Sequence, residues 1–245
     1  MTKDATGKIV LVTGACGGIA GGVLPRLRDE GYRFVLTDRE PCDDIAASLG
    51  DAVVHHERCD LGSEKEVDAF LDRVLATTEV HIVLNNAAYQ LVCPIDEMTP
   101  DVFDRYHRIN LAAPFQIIRR CVIQMKARGW GRIVNIVSGT PWFPTPGLTG
   151  YMTSKMGLIG LTRGLAHEYG AFGITVNGIT PALTRHANNH DALPEELWSG
   201  VASIQAIKRT GRPEDIACGI AFLMSEDASF MTGQTMVIDG GMVLR

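Results

Sequence analysis

Seven short apolar runs of strand composition punctuate the chain: Ile9 to Val12, Arg33 to Thr37, Ala52 to His55, His81 to Leu84, Arg132 to Val137, Ile174 to Val176 and Thr235 to Ile238. Longer segments with helical spacing separate them. Strand, helix, strand, helix almost throughout requires right-handed crossovers, which lay the strands parallel and cover both faces of the sheet. The pattern predicts a doubly wound α/β fold on a seven-stranded parallel sheet. At 245 residues with 46% hydrophobic content, the chain suffices for one domain with a substantial core, residues 1–245, and is cramped for two.

Several helix starts carry their own mechanism. Ser63-Glu64-Lys65-Glu66 reads as a capping box, and Thr99-Pro100 as an N-cap followed by proline at the first helical position. Pro25 falls inside the first helix, where it removes an intrahelical hydrogen bond and is expected to kink or shorten the helix. One segment, from about Leu183 to Thr210, reads as a long irregular insertion and is expected to act as a substrate lid.

Composition removes several function classes. Lys and Arg number 23 against 28 Asp and Glu, a net charge of −5, and no block of like charges provides a footprint for nucleic acid or an anionic membrane. No stretch reaches the ~18 uninterrupted apolar residues of a membrane span, and the N-terminus lacks the apolar core of a signal peptide. The six cysteines, Cys16, Cys42, Cys59, Cys93, Cys121 and Cys218, form no C-x-x-C pair, so no metal site is expected. The expectation is a reduced, cytoplasmic protein. Cys16 reads as a space-filling residue within a glycine turn and the other cysteines as core; most of the seven histidines read as structural or surface residues.

The first strand, Val10-Leu11-Val12-Thr13, runs into Gly14-Ala15-Cys16-Gly17-Gly18-Ile19-Ala20 and then a helix. Backbone N–H groups and a helix N-terminus so arranged receive a pyrophosphate. Asp38 ends the second strand 24 residues after Gly14, near the ~20-residue offset at which an acid hydrogen-bonds the adenosine ribose. A carboxylate there repels a 2′-phosphate and favours NAD as cofactor, with Arg39 next door as the one group able to hold such a phosphate.

These residues resemble the short-chain dehydrogenase/reductase family, and the resemblance covers essentially the whole chain. Thr13 to Ala20 is similar to the family's T-G-x-x-x-G-x-G loop, Asp60 to its adenine-contacting aspartate, and Asn85-Asn86-Ala87-Ala88 to its N-N-A-G segment. The resemblance implies a Rossmann fold and a catalytic tetrad of Asn110, Ser138, Tyr151 and Lys155. It further implies cofactor contacts from Gly14, Cys16, Gly17, Gly18, Ile19, Asp38, Asp60, Leu61, Asn86, Ala87, Ala88, Tyr151, Lys155, Pro181, Leu183 and Thr184. Gly211 to Ala217, Thr232-Gly233-Gln234 and Asp239-Gly240-Gly241 also read as family segments. The chain departs from the pattern at Ala20, Ala88, Ala182 and Pro25. Thr180 to Arg185 and the ending Gly240 to Arg245 are similar to those of bacterial 1-phenylethanol dehydrogenases and pyridoxal 4-dehydrogenases.

Elementary chemistry supports the tetrad independently. Tyr151 and Lys155 stand at i and i+4, on one helix face. A phenol is a poor base at neutral pH, and lowering its pKa by about 3 units takes roughly 4 kcal/mol of preferential phenolate stabilisation. A fixed ammonium and an oxidised nicotinamide are suitable sources. Ser138 closes a strand at the carboxyl edge of the sheet, where this architecture binds its ligands.

The family geometry builds the substrate pocket from 88–94, 139–150 and the lid, with Ser138, Thr140, Trp142 and Tyr151 against the substrate and Tyr89, Leu91, Val92, Phe143, Leu148, Leu183 and Trp198 as walls. A lining this apolar suits a hydrophobic or aryl secondary alcohol or ketone better than a sugar, whose hydroxyls would lack partners. Two alternatives stand beside it. One is a dehydrogenase for a polar or anionic substrate held by Arg185, His186 and His190; the other is a non-catalytic NAD-binding sensor or structural subunit. Segments Leu111 to Arg128 and Met152 to Tyr169 are apolar on more than one face, which, with the family resemblance, implies a homotetramer or homodimer.

Overall fold

The computed structural model describes residues 7–186, 189 and 193–244. All seven anticipated strands are present: β1 (Ile9–Thr13), β2 (Arg33–Asp38), β3 (Val53–Arg58), β4 (Ile82–Asn85), β5 (Gly131–Ile136), β6 (Ile174–Pro181) and β7 (Thr235–Ile238). They form one sheet in the order β3-β2-β1-β4-β5-β6-β7, with every pairing parallel. The helices are α1 (Gly18–Asp29), α2 (Asp43–Leu49), α3 (Glu64–Thr77), α4 (Pro100–His107), α5 (Ala113–Arg128), α6 (Thr149–Tyr169), α7 (Glu195–Ile204) and α8 (Pro213–Met224).

Strand alternation divides the interior into two cores. Val10, Val12, Phe34, Leu36, Leu84 and Val134 face α1 and α8, meeting Val23, Leu24, Leu27, Ile216 and Ile220. Leu11, Val35, Val83, Ile133 and Val176 point the other way, onto Phe70 and Leu71 of α3, Ile117 and Cys121 of α5 and Leu165 of α6. A Leu or Phe buried this way contributes about 1.5–3 kcal/mol, so the two layers fix the sheet as the frame on which the loops are mounted.

Local signals behave mostly as read. Thr99 Oγ1 accepts the Val102 N–H at 3.3 Å with Pro100 at the helix start. The Ser63 cap forms only by half: its Oγ accepts Glu66 N–H at 3.3 Å, whereas the Glu66 carboxylate accepts the Asp60 N–H at 3.1 Å instead of that of Ser63. Pro25 does not shorten α1, which continues past it to Asp29. The 183–210 segment is less irregular than expected, because it contains the ten-residue helix α7, anchored by a fully buried Trp198 beneath the Arg185 guanidinium. Trp198 is thus a packing anchor rather than a lining residue at an open mouth.

Candidate active site

The turn after β1 is shaped by one glycine. Gly14 has φ +66°, and a Cβ there would lie 2.7 Å from Ala87 Cα, so the turn and the segment after β4 approach to a distance that only glycine allows. Side chains then clamp the two together. Thr13 Oγ1 accepts the N–H groups of Asn86 and Ala87, each at 3.1 Å, and Asn86 Nδ2 donates to the Thr13 and Gly14 carbonyls at 3.1 and 2.8 Å. At the end of β2 the Asp38 carboxylate accepts Cys16 N–H at 3.0 Å and Glu40 N–H at 3.2 Å.

A cavity of about 520 Å³ opens on this turn, and every anticipated cofactor residue from Gly14 through Ala88 lines it: Gly14, Cys16, Gly17, Gly18, Ile19, Asp38, Asp60, Leu61, Asn86, Ala87 and Ala88. A glycine turn opening α1, with the Asp38 and Asp60 carboxylates on the same cavity wall, fits a dinucleotide. Tyr151, Lys155, Pro181, Leu183 and Thr184 lie outside its lining; Pro181 ends β6, and the buried Thr184 hydroxyl donates to the Ala182 carbonyl at 2.9 Å. The sequence reading missed Glu40, Cys59, Gln90, Arg105 and Ile109, which also line the cavity. Arg105 and Ile109 are four residues apart, a helical spacing that would have paired them. His186 also lines this cavity, and a Cβ built on Gly18 would overlap its ring. It therefore sits over the glycine turn and not in the substrate pocket.

The tetrad residues converge at the carboxyl edge of the sheet. Asn110 lies in a π-helical turn, Arg108–Ala112, between α4 and α5, and is fully buried. Its Oδ1 accepts Tyr89 N–H at 2.7 Å, while Nδ2 donates to the Tyr89 carbonyl and to Ser154 Oγ, each at 2.9 Å. The side chain ties the loop after β4 to α6. A second amide chain does the same inside the sheet: Asn85 Nδ2 donates to Asn135 Oδ1 at 2.8 Å, and Asn135 Nδ2 to Thr162 Oγ1 at 2.9 Å. Both hold α6, which carries Tyr151 and Lys155, at a fixed height above the strands.

Tyr151 packs in a small apolar cluster with Leu148 and Tyr106, against which Tyr89 and Met98 also pack. Burial pushes its phenol up to about 12, partly offset by a hydrogen bond with the Ser138 side chain. Lys155 is 1% exposed, donates from Nζ to the Ile136 carbonyl at 2.7 Å, and is pushed down to about 7 by burial. Its Nζ stands 5.7 Å from the centre of the Tyr151 ring. Among the chain's own groups desolvation is the leading influence on both side chains, raising the phenol and lowering the ammonium. Ser138 lies two residues beyond β5, and its Oγ accepts from Thr140 N–H at 3.2 Å and Thr140 Oγ1 at 3.1 Å. Thr140 thus orients Ser138; Trp142 lies half-buried in the turn that follows.

Arg185 and His186, expected to belong to a lid, are engaged with the protein. Arg185 pairs with Glu195 at 2.7 Å. The His186 N–H donates to Asn189 Oδ1 at 2.8 Å, and Asn189 Nδ2 to the Thr184 carbonyl at 2.9 Å; His190 lies outside the described residues. Cys42, Cys59 and Cys121 are buried as expected of core, but Cys93 is half-buried and Cys218 exposed. Among the described residues no cluster of His, Cys, Asp and Glu is arranged to hold a metal ion, and no helix is long and apolar enough to cross a membrane.

Parallel sheet, glycine turn and Tyr–Lys pair on one helix define a dinucleotide-linked oxidoreductase class, and relatives agree. A family model described as enoyl-(acyl carrier protein) reductase matches residues 14–243. The chain is 32% identical over 244 residues to a 3-oxoacyl-(acyl-carrier-protein) reductase of Rickettsia felis, covering 98% of this chain and 99% of that one. It is likewise 32% identical over 247 residues to a 7alpha-hydroxysteroid dehydrogenase of Bacteroides fragilis, with 97% and 95% covered. A solved 3-oxoacyl (acyl-carrier-protein) reductase from Agrobacterium tumefaciens C58 with NADP bound superposes with a TM-score of 0.89 at 27% identity, covering 97% of this chain and 95% of that one. The chain belongs to the short-chain dehydrogenase/reductase family.

Proposed function

We propose that the chain is an NAD-linked dehydrogenase, or reductase in the opposite direction, for a hydrophobic or aryl secondary alcohol and its ketone. The observation that carries this reading is the buried convergence of the Tyr151 phenol and the Ser138 hydroxyl. Tyr89 joins that cluster to the cavity, since it lines the one and packs against the other.

A nicotinamide dinucleotide, when bound, supplies the two-electron donor or acceptor. Gly14, Gly17 and Gly18, with the N-terminus of α1, would form the wall against its diphosphate, Asp38 would meet its adenosine ribose, and Asp60 and Leu61 its adenine. The Ser138 hydroxyl donates to the substrate oxygen and polarises it. Tyr151 Oη gives its proton to that oxygen in reduction and accepts it in oxidation, and burial keeps the proton on the phenol until a cationic charge is adjacent. Lys155, fixed by the Ile136 carbonyl, stands on the same helix face, and in its protonated form it would favour the phenolate. The hydrogen bonds of Asn110 favour a positioning role, because its amide is spent on Tyr89 and Ser154.

Asp38 supports NAD rather than NADP. Its carboxylate is held by two N–H groups at the cavity wall; Arg39 lines the same cavity but is exposed and pairs there with Glu40 at 3.4 Å. Apolar side chains at 91–95 and 143, the segments expected to wall the substrate pocket, support the substrate class: Leu91, Val92, Ile95 and Phe143 are all exposed. The ion pair of Arg185 and the position of His186 over the glycine turn speak against an anionic substrate held by the lid. Phe115, Ile123 and Met156, exposed on α5 and α6, support a dimer or tetramer built on these helices.

The test is an initial-rate screen at 340 nm with NAD(H) and NADP(H) against aryl and aliphatic secondary alcohols and ketones, 3-oxoacyl thioesters, hydroxy acids and sugars. NAD-linked turnover of apolar alcohols or ketones is expected. Turnover confined to NADP, or to sugars and acids, would contradict the reading.

A further inference from the structure

Cys16 and Cys42 lie 26 residues apart in sequence, yet their sulfurs are 3.6 Å apart. Cys16 belongs to the glycine turn and offers its N–H to Asp38. Cys42 is the residue preceding α2, just past the end of β2 that carries Asp38. The Cys16 sulfur also lies 3.4 Å from the Pro41 carbonyl. A second cavity of about 400 Å³, lined by Cys16, Pro41 and Asp44 among others, reaches the same thiol. Two thiols in contact, on the two segments that would hold a dinucleotide's diphosphate and ribose, are a different arrangement from the isolated space-filler that the sequence implies.

We propose that Cys16 and Cys42 are a reversible disulfide site whose closure weakens dinucleotide binding. The argument rests on the cofactor reading above for its effect, but not for the bond itself. A disulfide holds its sulfurs ~2.05 Å apart, so the pair must close by roughly 1.5 Å. The buried Cys42 is anchored at the start of α2, so the movement falls chiefly on the half-buried Cys16 and the turn around it. In that turn Cys16 N–H donates to Asp38 and Gly17 N–H to the Gly14 carbonyl, each at 3.0 Å, and drawing Cys16 toward Cys42 disturbs both and reshapes the cavity wall that Cys16, Gly17, Gly18 and Asp38 form.

The oxidant is a small-molecule disulfide such as glutathione disulfide. The Cys16 thiolate attacks one of its sulfurs, the S–S bond breaks, and one glutathione leaves and takes up a proton. The Cys42 thiolate then attacks the Cys16 sulfur of the mixed disulfide and expels the second glutathione, which takes up the second proton. Two protein thiols lose two electrons and one glutathione disulfide gains them. Burial and nearby carboxylates hold both thiols above their ordinary range, which makes the exchange slow at neutral pH and faster in mild alkali.

Coupling between two sites is reciprocal: if the disulfide weakens NADH binding about tenfold, NADH disfavours the disulfide by the same factor. The experiment equilibrates the full chain in glutathione redox buffers at about pH 8.5, where thiolate is more abundant, with and without NADH. Alkylation, trypsin and mass spectrometry follow, with NADH titrations on the same samples. Tryptic peptides 9–26 and 40–58 each contain one cysteine of the pair and no other, so their linkage is diagnostic. The expected result is that linkage, about tenfold weaker NADH binding in the linked protein, recovery on reduction, and less linkage when NADH is present. Cys42→Ser should keep its NADH affinity through the same treatment. Absence of the linked peptides in excess glutathione disulfide, or unchanged NADH affinity in the linked protein, would overturn the proposal. Failure of the reduced protein to bind NADH would instead bring down the cofactor reading, and with it the claimed effect.

Discussion

Asp38 Oδ2 accepts the backbone N–H of Cys16 at 3.0 Å, so the carboxylate that would face an adenosine ribose is fixed by the same turn that would cradle the diphosphate. Asp38→Asn keeps an acceptor for that N–H and removes the charge. The ratio of kcat/KM for NAD over NADP should then fall by about 10- to 100-fold, roughly 1.4–2.7 kcal/mol, mainly through better use of NADP. Initial rates with both cofactors check this, and an unchanged ratio would remove Asp38 as the discriminating group.

Ser138 hydrogen-bonds the Tyr151 phenol, and on the proposed mechanism it would also donate to the substrate oxygen. Ser138→Ala should lower kcat about 100-fold, the order expected for losing one donor to a developing oxyanion. Because the Ser138 hydrogen bond lowers the phenol's pKa, the alkaline rise of the oxidation rate should also move to higher pH. Loss of rate with an unmoved profile would confine Ser138 to the substrate.

Lys155 is the buried cation whose titration should show in stability. In the folded chain its pKa is lowered from 10.5 to about 7. Between these values the unfolded chain holds the extra proton, so stability rises with pH across that window and the cost of burying the ammonium is full below it. Lys155→Met lacks the group. The difference in unfolding free energy, wild type minus variant, should climb by up to about 1.4 kcal/mol per pH unit between pH 7 and 9. Urea midpoints at pH 7, 8 and 9 measure it; a flat difference would mean that Lys155 titrates normally.

Ile123 is 65% exposed on α5 and is the most exposed apolar residue of that helix. Ile123→Glu should reduce the oligomer's mass in light scattering at micromolar concentration, while its circular dichroism stays that of the wild type. A wild-type chain already monomeric there would contradict the proposed assembly.

The sequence revealed the strands where apolar runs were unbroken and lost them where burial was achieved by polar residues. Strand β6 was read as ending at Val176 but extends to Pro181. Its continuation contains Asn177, whose amide donates to the Met231 carbonyl at 2.7 Å and accepts Gln234 N–H at 3.1 Å. It also contains Gly178, where a Cβ would lie 2.9 Å from Val137 Cγ2. Partners that distant in sequence leave no local signal. Strand β3 was truncated for a different reason: His56, Glu57 and Arg58 lie on the edge of the sheet and look like loop. Helix α7 did carry a signal, since Glu195 and Glu196 follow Pro194 and Leu197, Trp198, Val201 and Ile204 are spaced for one face. The cavity wall from Gly14 to Ala88 was legible because backbone turns and strand ends set it. The places of His186 and of Cys16 beside Cys42 were not, because each depends on a contact between segments that periodicity does not relate.

Tyr151 is the group on which the account turns, and Tyr151→Phe tests it most directly. The variant keeps the ring that packs with Leu148 and Tyr106 and loses only the hydroxyl. NADH affinity by fluorescence titration should stay within about twofold, while kcat on the best substrate should fall by about 10²–10⁴, the range for losing a general acid or base. Turnover close to wild type with cofactor binding intact would show that the proton moves through another group, and the assignment of Tyr151 would be wrong.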